Sequence, residues 1–127
     1  MNPWLTVAIA VGGGAGAAVR YSLDALVTSR TSAAPFPLGT LLINVSGSFV
    51  LGIVTGLAAA HLPHPELFVI AGTGFLGGYT TFSTASTQTA DLVRGRKYGA
   101  AAIYSGGMLL GAVISAAAGL WFASAIT

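Results

Sequence analysis

The sequence predicts an all-α membrane protein of four transmembrane helices, and three observations carry that class. Charged residues make up only 6% of the 127-residue chain and hydrophobic ones 54%, with a mean hydropathy of +0.82. Soluble domains average roughly 25% charged residues and need a polar shell to stay dispersed, and no segment here supplies one. The breaks between apolar stretches leave four lengths, about 3–27, 38–60, 66–92 and 98–125, each close to the roughly 20 residues that cross a bilayer. Glycines also recur at four-residue spacing in every stretch, at Gly12 and Gly16, Gly52 and Gly56, Gly74 and Gly78, Gly107 and Gly111. That spacing lets helix backbones approach closely in lipid, where van der Waals packing drives association. Four such pairs leave surface for a second subunit. The chain reads as a single transmembrane domain, 1–127.

Each stretch has its own signals. The first opens on Pro3, suited to a first helical turn, with Trp4 at an interfacial position. Arg20 lies late in it, with Asp24 one turn onward; the expectation is an intrahelical pair and a snorkelling vestibule or structural charge. The loops 28–37, 61–65 and 94–97 are short, so neighbouring helices run antiparallel. The fourth stretch ends near Trp121 and Phe122, a second aromatic anchor. The third is unusual, because Gly72 to Thr84 mixes four-fold glycine with β-branched and hydroxyl residues near mid-membrane. A helix break around Gly77 to Thr81 is expected, since unwound backbone persists in a membrane only where protein buries it or an ion or water site uses it. The alternative is an unbroken helix whose hydroxyls bond back to its own carbonyls.

Chemistry is sparse. Cysteine is absent, His61 and His64 flank prolines in a loop without a third ligand, and Ser46, Ser83 and Ser105 have no base in the membrane, so an enzyme is not expected. Five basic residues against three acidic ones, with no basic stripe, argue against nucleic acid. Asn44, about two turns into the second stretch, is the sharpest polar residue. Intramembrane polar groups face a pathway or a partner helix, and spacing alone leaves both open for it.

Arg20-Tyr21, Gly39-Thr40 with Asn44 and Gly47, and the run Gly-Phe-Leu-Gly-Gly-Tyr-Thr-Thr-Phe-Ser-Thr from Gly74 to Thr84 together resemble the Fluc family of bacterial fluoride channels, over nearly the whole chain. The resemblance implies a passive fluoride channel of the cytoplasmic membrane, built as an antiparallel, dual-topology dimer with two narrow pores and a structural Na⁺ at its centre. By the same resemblance Asn44 would donate to fluoride and Phe82 would present its ring edge. The carbonyls of Gly77 and Thr80 would bind Na⁺, and Tyr104 with Thr40, Ser83 and Thr84 would line the polar path. Such a channel is physically sensible: fluoride is strongly hydrated, so close uncharged donors must replace its water without trapping it, and an aromatic edge is positive.

The chain departs from the family pattern at Ala85, where a second Phe is usual, and at Gln88, where Glu is usual. Near Met108 or Gly107 a pore-lining serine is missing, and Met108 is a candidate to fill the space beside Ala85. Arg30, Arg94, Arg96 and Lys97 all fall in loops on one side, whereas dual topology needs balanced charge. The expectation is therefore one fixed orientation, with those loops cytoplasmic, and pairing either as a homodimer or with an oppositely oriented paralogue carrying a degenerate pore. A small antiparallel drug exporter would need a carboxylate inside the membrane, yet Asp24, Glu66 and Asp91 lie near span ends. A non-conducting scaffold subunit is the remaining reading.

Overall fold

The computed structural model describes residues 2–127, whose regular structure is all helical, with no strand among them. Helix α1, Pro3–Arg30, starts where the Asn2 side chain accepts the Trp4 N–H at 3.2 Å, satisfying one of the free amides of a helix start. Helix α2 is Leu38–Ala59 and α6 is Tyr98–Ile126; these two are long and apolar enough to cross a bilayer by composition alone. Between them the third span comes in pieces. Helix α3, Pro65–Val69, runs directly into a π-helical turn, Ile70–Leu76, and then α4, Gly77–Tyr79; helix α5, Ser83–Arg94, follows after an interruption at residues 80–82. The bend is where the glycine and hydroxyl run places it, but Gly77 to Tyr79 are still helical.

The π winding has no counterpart in the sequence reading. Two of its seven residues are glycine, which lowers the steric cost of widening the helix, but nothing in residue order specifies an i to i+5 register. Its role is clearest in the packing. Gly12 of α1 faces Gly74 and the Phe75 amide, Gly16 faces the Phe75 carbonyl and Gly78 faces Gly13, and a Cβ on Gly16 or Gly78 would run into the opposing main chain. Gly52 of α2 likewise meets the Ala116 carbonyl of α6, and Gly119 meets that of Phe49. Three of the four spaced pairs thus join helices of one chain. The fourth differs: Gly107 has nothing within 4 Å, and Gly111 touches only Val45.

Burial is inverted relative to a soluble domain. Val11, Ile103, Leu110, Val113 and Ile114 stand exposed, while the buried set is small and includes Thr40 and Asn44. The chain presents 7588 Å² of surface, against about 6,200 Å² expected for a compact soluble protein of this mass. Lipid and a partner subunit are the environments that such a surface suits.

Candidate functional site

The site forms where the third span loses its helix. At residues 80–82 the helix is interrupted, with Thr80 turned extended at ψ 157°, so peptide groups there lack their usual partners. In a membrane each unpaired group costs several kcal/mol, and side chains from two other helices supply the missing bonds. Asn44 of α2 accepts the Thr81 N–H on its Oδ1 at 2.8 Å and donates from Nδ2 to the Thr81 carbonyl at 2.8 Å. Because an N–H can only donate, that pair fixes which way the amide points. The second Nδ2 hydrogen goes to Met108 Sδ of α6 at 3.1 Å. From the opposite side Arg20 Nε donates to the Gly78 carbonyl at 3.1 Å. Gly47 makes room for this arrangement, since a Cβ there would meet the Thr80 methyl and the Tyr79 ring.

Helix α5 restarts on its own terms. Thr81 Oγ1 accepts the Thr84 N–H at 3.2 Å, which is the bond of an N-cap to the third helical residue. Thr81 therefore caps α5, one residue before the nominal cap position at Phe82, a normal uncertainty in placing helix ends. With the Thr81 N–H committed to Asn44, among the described residues the Gly77 carbonyl receives no hydrogen bond across the break, and neither does that of Thr80.

Beside the break lies an open groove of about 670 Å³, lined by Asn44, Thr81, Phe82, Ala85, Ser105 and Met108 among others. Phe82 stands at its edge with 87% of its surface exposed. Ser83 is exposed next to it, and Thr84 is half-buried against Thr81, whose hydroxyl lies 3.2 Å from its own. Thr40 and Tyr104 are elsewhere: they are buried, at 2% and 0% exposure. The Tyr104 hydroxyl donates to Gln88 Oε1 at 2.6 Å, and its ring packs 5.9 Å from that of Phe36. Of the six residues expected to line a fluoride path, Asn44 and Phe82 thus share the groove, Ser83 and Thr84 adjoin it, and Thr40 and Tyr104 lie within the packed bundle. Met108 joins Ala85 and Tyr104 in one buried cluster, filling the space beside the small Ala85.

One expectation is corrected. Arg20 does not pair with Asp24, because its Nε is held by the Gly78 carbonyl across the helix contact. The Asp24 carboxylate lies instead against Gly39 in the first turn of α2, where the helix dipole favours a negative group. The single ion pair among the described residues is Arg94 with Asp91, both well exposed. His61 and His64 stay in their exposed loop, both at positive φ. Sequence reasoning missed the roles of Thr81 and Gln88 as partners of Asn44 and Tyr104. Thr81 is 37 positions from Asn44, and spacing along one helix says nothing about a partner on another.

Apolar helices around a broken span, with an amide and a guanidinium closing the break, define a multi-pass membrane protein of the ion-pathway type. Residues 7–120 match the family described as CrcB-like protein, Camphor Resistance (CrcB), and the chain belongs to that family. The protein named Fluoride-specific ion channel FluC 1 of Leifsonia xyli subsp. xyli (strain CTCB07) is 50% identical over 121 residues, covering 95% of this chain and 88% of that one. Fluoride-specific ion channel FluC 2 of Cutibacterium acnes (strain DSM 16379 / KPA171202) is 44% identical over 119 residues, covering 93% and 96%. Fluoride-specific ion channel FluC of Gloeobacter violaceus (strain ATCC 29082 / PCC 7421) is 39% identical over 121 residues, covering 95% and 97%.

Proposed function

We propose that this chain is a subunit of a fluoride-specific ion channel that lets fluoride leave the cell down its gradient, and not an enzyme. The observation that carries the reading is the break itself, held open by Asn44 beside the exposed ring of Phe82. Uncharged amide and hydroxyl donors offer an anion a substitute for water at modest affinity, so that it can leave as well as bind. The positive edge of Phe82 extends that path through an apolar stretch, with Ser83 and Thr84 beside it. Thr40 and Tyr104 complete the lining in this reading. The Arg20 charge draws anions toward the mouth. The relatives' names, which specify fluoride, support the choice of ion.

The functional unit in this proposal is an antiparallel pair embedded in membrane lipid. The large exposed apolar surface, the open Gly107 and the exposure of Phe82 all suit coverage by a second subunit. A structural Na⁺ would be held by the carbonyls of Gly77 and Thr80. Neutral oxygens freed from helix bonding fit a hard monovalent cation, and the ion would lock the two breaks together. Arg30, Arg94, Arg96 and Lys97 at one end of the bundle favour a fixed orientation with an oppositely oriented paralogue as partner, over a homodimer in two topologies.

Purified chain, alone and mixed with a paralogue, in liposomes loaded with fluoride provides the test. Opening a counter-ion path without any proton gradient should release fluoride, and Phe82→Ile should cut that release at least tenfold while the assembly keeps its size. Retention of fluoride by vesicles carrying the chain, both alone and mixed with a paralogue, would sink the channel reading. A reporter fused to the C-terminus tests orientation: equal signal from both sides of the membrane rules out the fixed topology.

A further inference from the structure

Most of the polar groups around the groove already have strong acceptors. The Ser48 hydroxyl donates to the Asn44 carbonyl at 2.7 Å, Thr80 to that of Leu76 at 2.9 Å, Thr89 to that of Ala85 at 2.8 Å and Ser105 to that of Ala101 at 2.8 Å. Turning any of these hydroxyls away gives up a bond to a strong carbonyl acceptor. The Asn44 amide is different. One of its hydrogens is committed to the Thr81 carbonyl, and the other to the Met108 thioether at 3.1 Å, which is among the weakest acceptors a side chain offers. Losing that bond leaves no strong acceptor unsatisfied.

We propose that Met108 is a displaceable stand-in for the anion: its sulfur holds the free Asn44 hydrogen in the resting channel and swings aside when fluoride takes that hydrogen. The inference rests on the channel reading above and names the residue that sets how readily fluoride gains its donor. Three rotatable bonds give methionine the freedom to move. The open groove that Met108 and Ala85 both line leaves it somewhere to go. A fluoride ion, small and a strong acceptor, repays the displacement. Chloride, larger and a weaker acceptor, gains less from one amide hydrogen and needs more room. Met108 thus adds a threshold to the site that a smaller hydroxyl side chain would not impose.

The chain contains two methionines, Met1 and Met108, so labelling the methionine methyl carbon gives an NMR probe at the site and a second signal, from Met1, for comparison. In the reconstituted full-length protein, fluoride titration should shift the Met108 methyl resonance and leave that of Met1 in place, while chloride at equal concentration moves neither. Met108→Leu keeps the volume and removes the acceptor. It should raise fluoride efflux at sub-saturating fluoride by about threefold to tenfold, the equivalent of one weak hydrogen bond no longer competing. A Met108 signal that ignores fluoride, or answers chloride equally, overturns the proposal, as does an efflux rate in Met108→Leu that is unchanged or lower with assembly intact. Vesicles of the unaltered chain separate the two levels. Fluoride release with a silent Met108 signal removes this inference and keeps the channel, whereas no release and no signal, from the chain alone and mixed with a paralogue, removes both.

Discussion

The two halves of the third span are neighbours in sequence and opposites in how they are held. The first half, from α3 through the π turn to α4, packs main chain against main chain on α1, with Gly12, Gly16, Gly74 and Gly78 at the contact. The second half, α5, carries Thr87 and Thr89 with their hydroxyls bonded to their own helix carbonyls. It reaches α6 through the Gln88 to Tyr104 hydrogen bond and the packing of Leu92 on the cluster that includes Tyr104. Close backbone approach stabilises one half through dispersion, and polar pairing holds the other. The break lies between the two halves and depends on hydrogen bonds to its own backbone from Arg20 and Asn44.

If that division is right, the most damaging change is one that separates backbones on the α1 side. Gly16→Leu places a side chain where the Phe75 carbonyl lies, with no flexible neighbour to yield, and should cost about 3 kcal/mol or more. Unfolding in detergent micelles would measure it. Gly107→Leu is the matched control, since no atom lies within 4 Å of that position, and the fold of the single chain should change by less than about 0.5 kcal/mol. Equal losses from the two substitutions would mean that glycine approach is not what holds the first half.

A change at the break itself comes next. Asn44→Ala removes both bonds to Thr81 and the one to Met108. Side-chain hydrogen bonds between membrane helices average about 0.6 kcal/mol and reach about 1.7, so a loss of about 2–3 kcal/mol is expected. The loss should also be local, with hydrogen exchange at Thr81 accelerating far more than in α2 or α6. Uniform acceleration along the chain would show that Asn44 braces the whole bundle.

The same contrast explains what could be read from residue order. Helix number, approximate ends and the bend follow from apolar length, loop composition and the glycine and hydroxyl run at Gly72 to Thr84, all of them local properties. The π winding does not, because nothing in residue order marks an i to i+5 register in the segment that packs on α1. At the site, Asn44 was legible as an intramembrane amide, yet its bonds to Thr81 and Met108 join three helices. Arg20 misled for a related reason: Asp24 is one turn away in sequence, but the Gly78 carbonyl is nearer in space. A potential partner four residues along is visible in any sequence, and one delivered by a neighbouring span is not.

The smallest effect belongs to the second half, where one polar pair carries the link to α6. Tyr104 is fully buried and its hydroxyl donates to Gln88 Oε1 at 2.6 Å, so Gln88→Leu strands a buried donor and should cost about 1 kcal/mol. Tyr104→Phe removes the donor but leaves the half-buried Gln88 amide access to other partners, and should cost less. In the double variant neither group is stranded, so the combined loss should fall short of the sum of the single ones. That shortfall is the coupling energy of the pair, read from the same micelle unfolding. Strict additivity would mean that Leu92 and its apolar neighbours alone dock α5, and the contrast between a half joined by backbone contact and one joined by polar pairing would no longer stand.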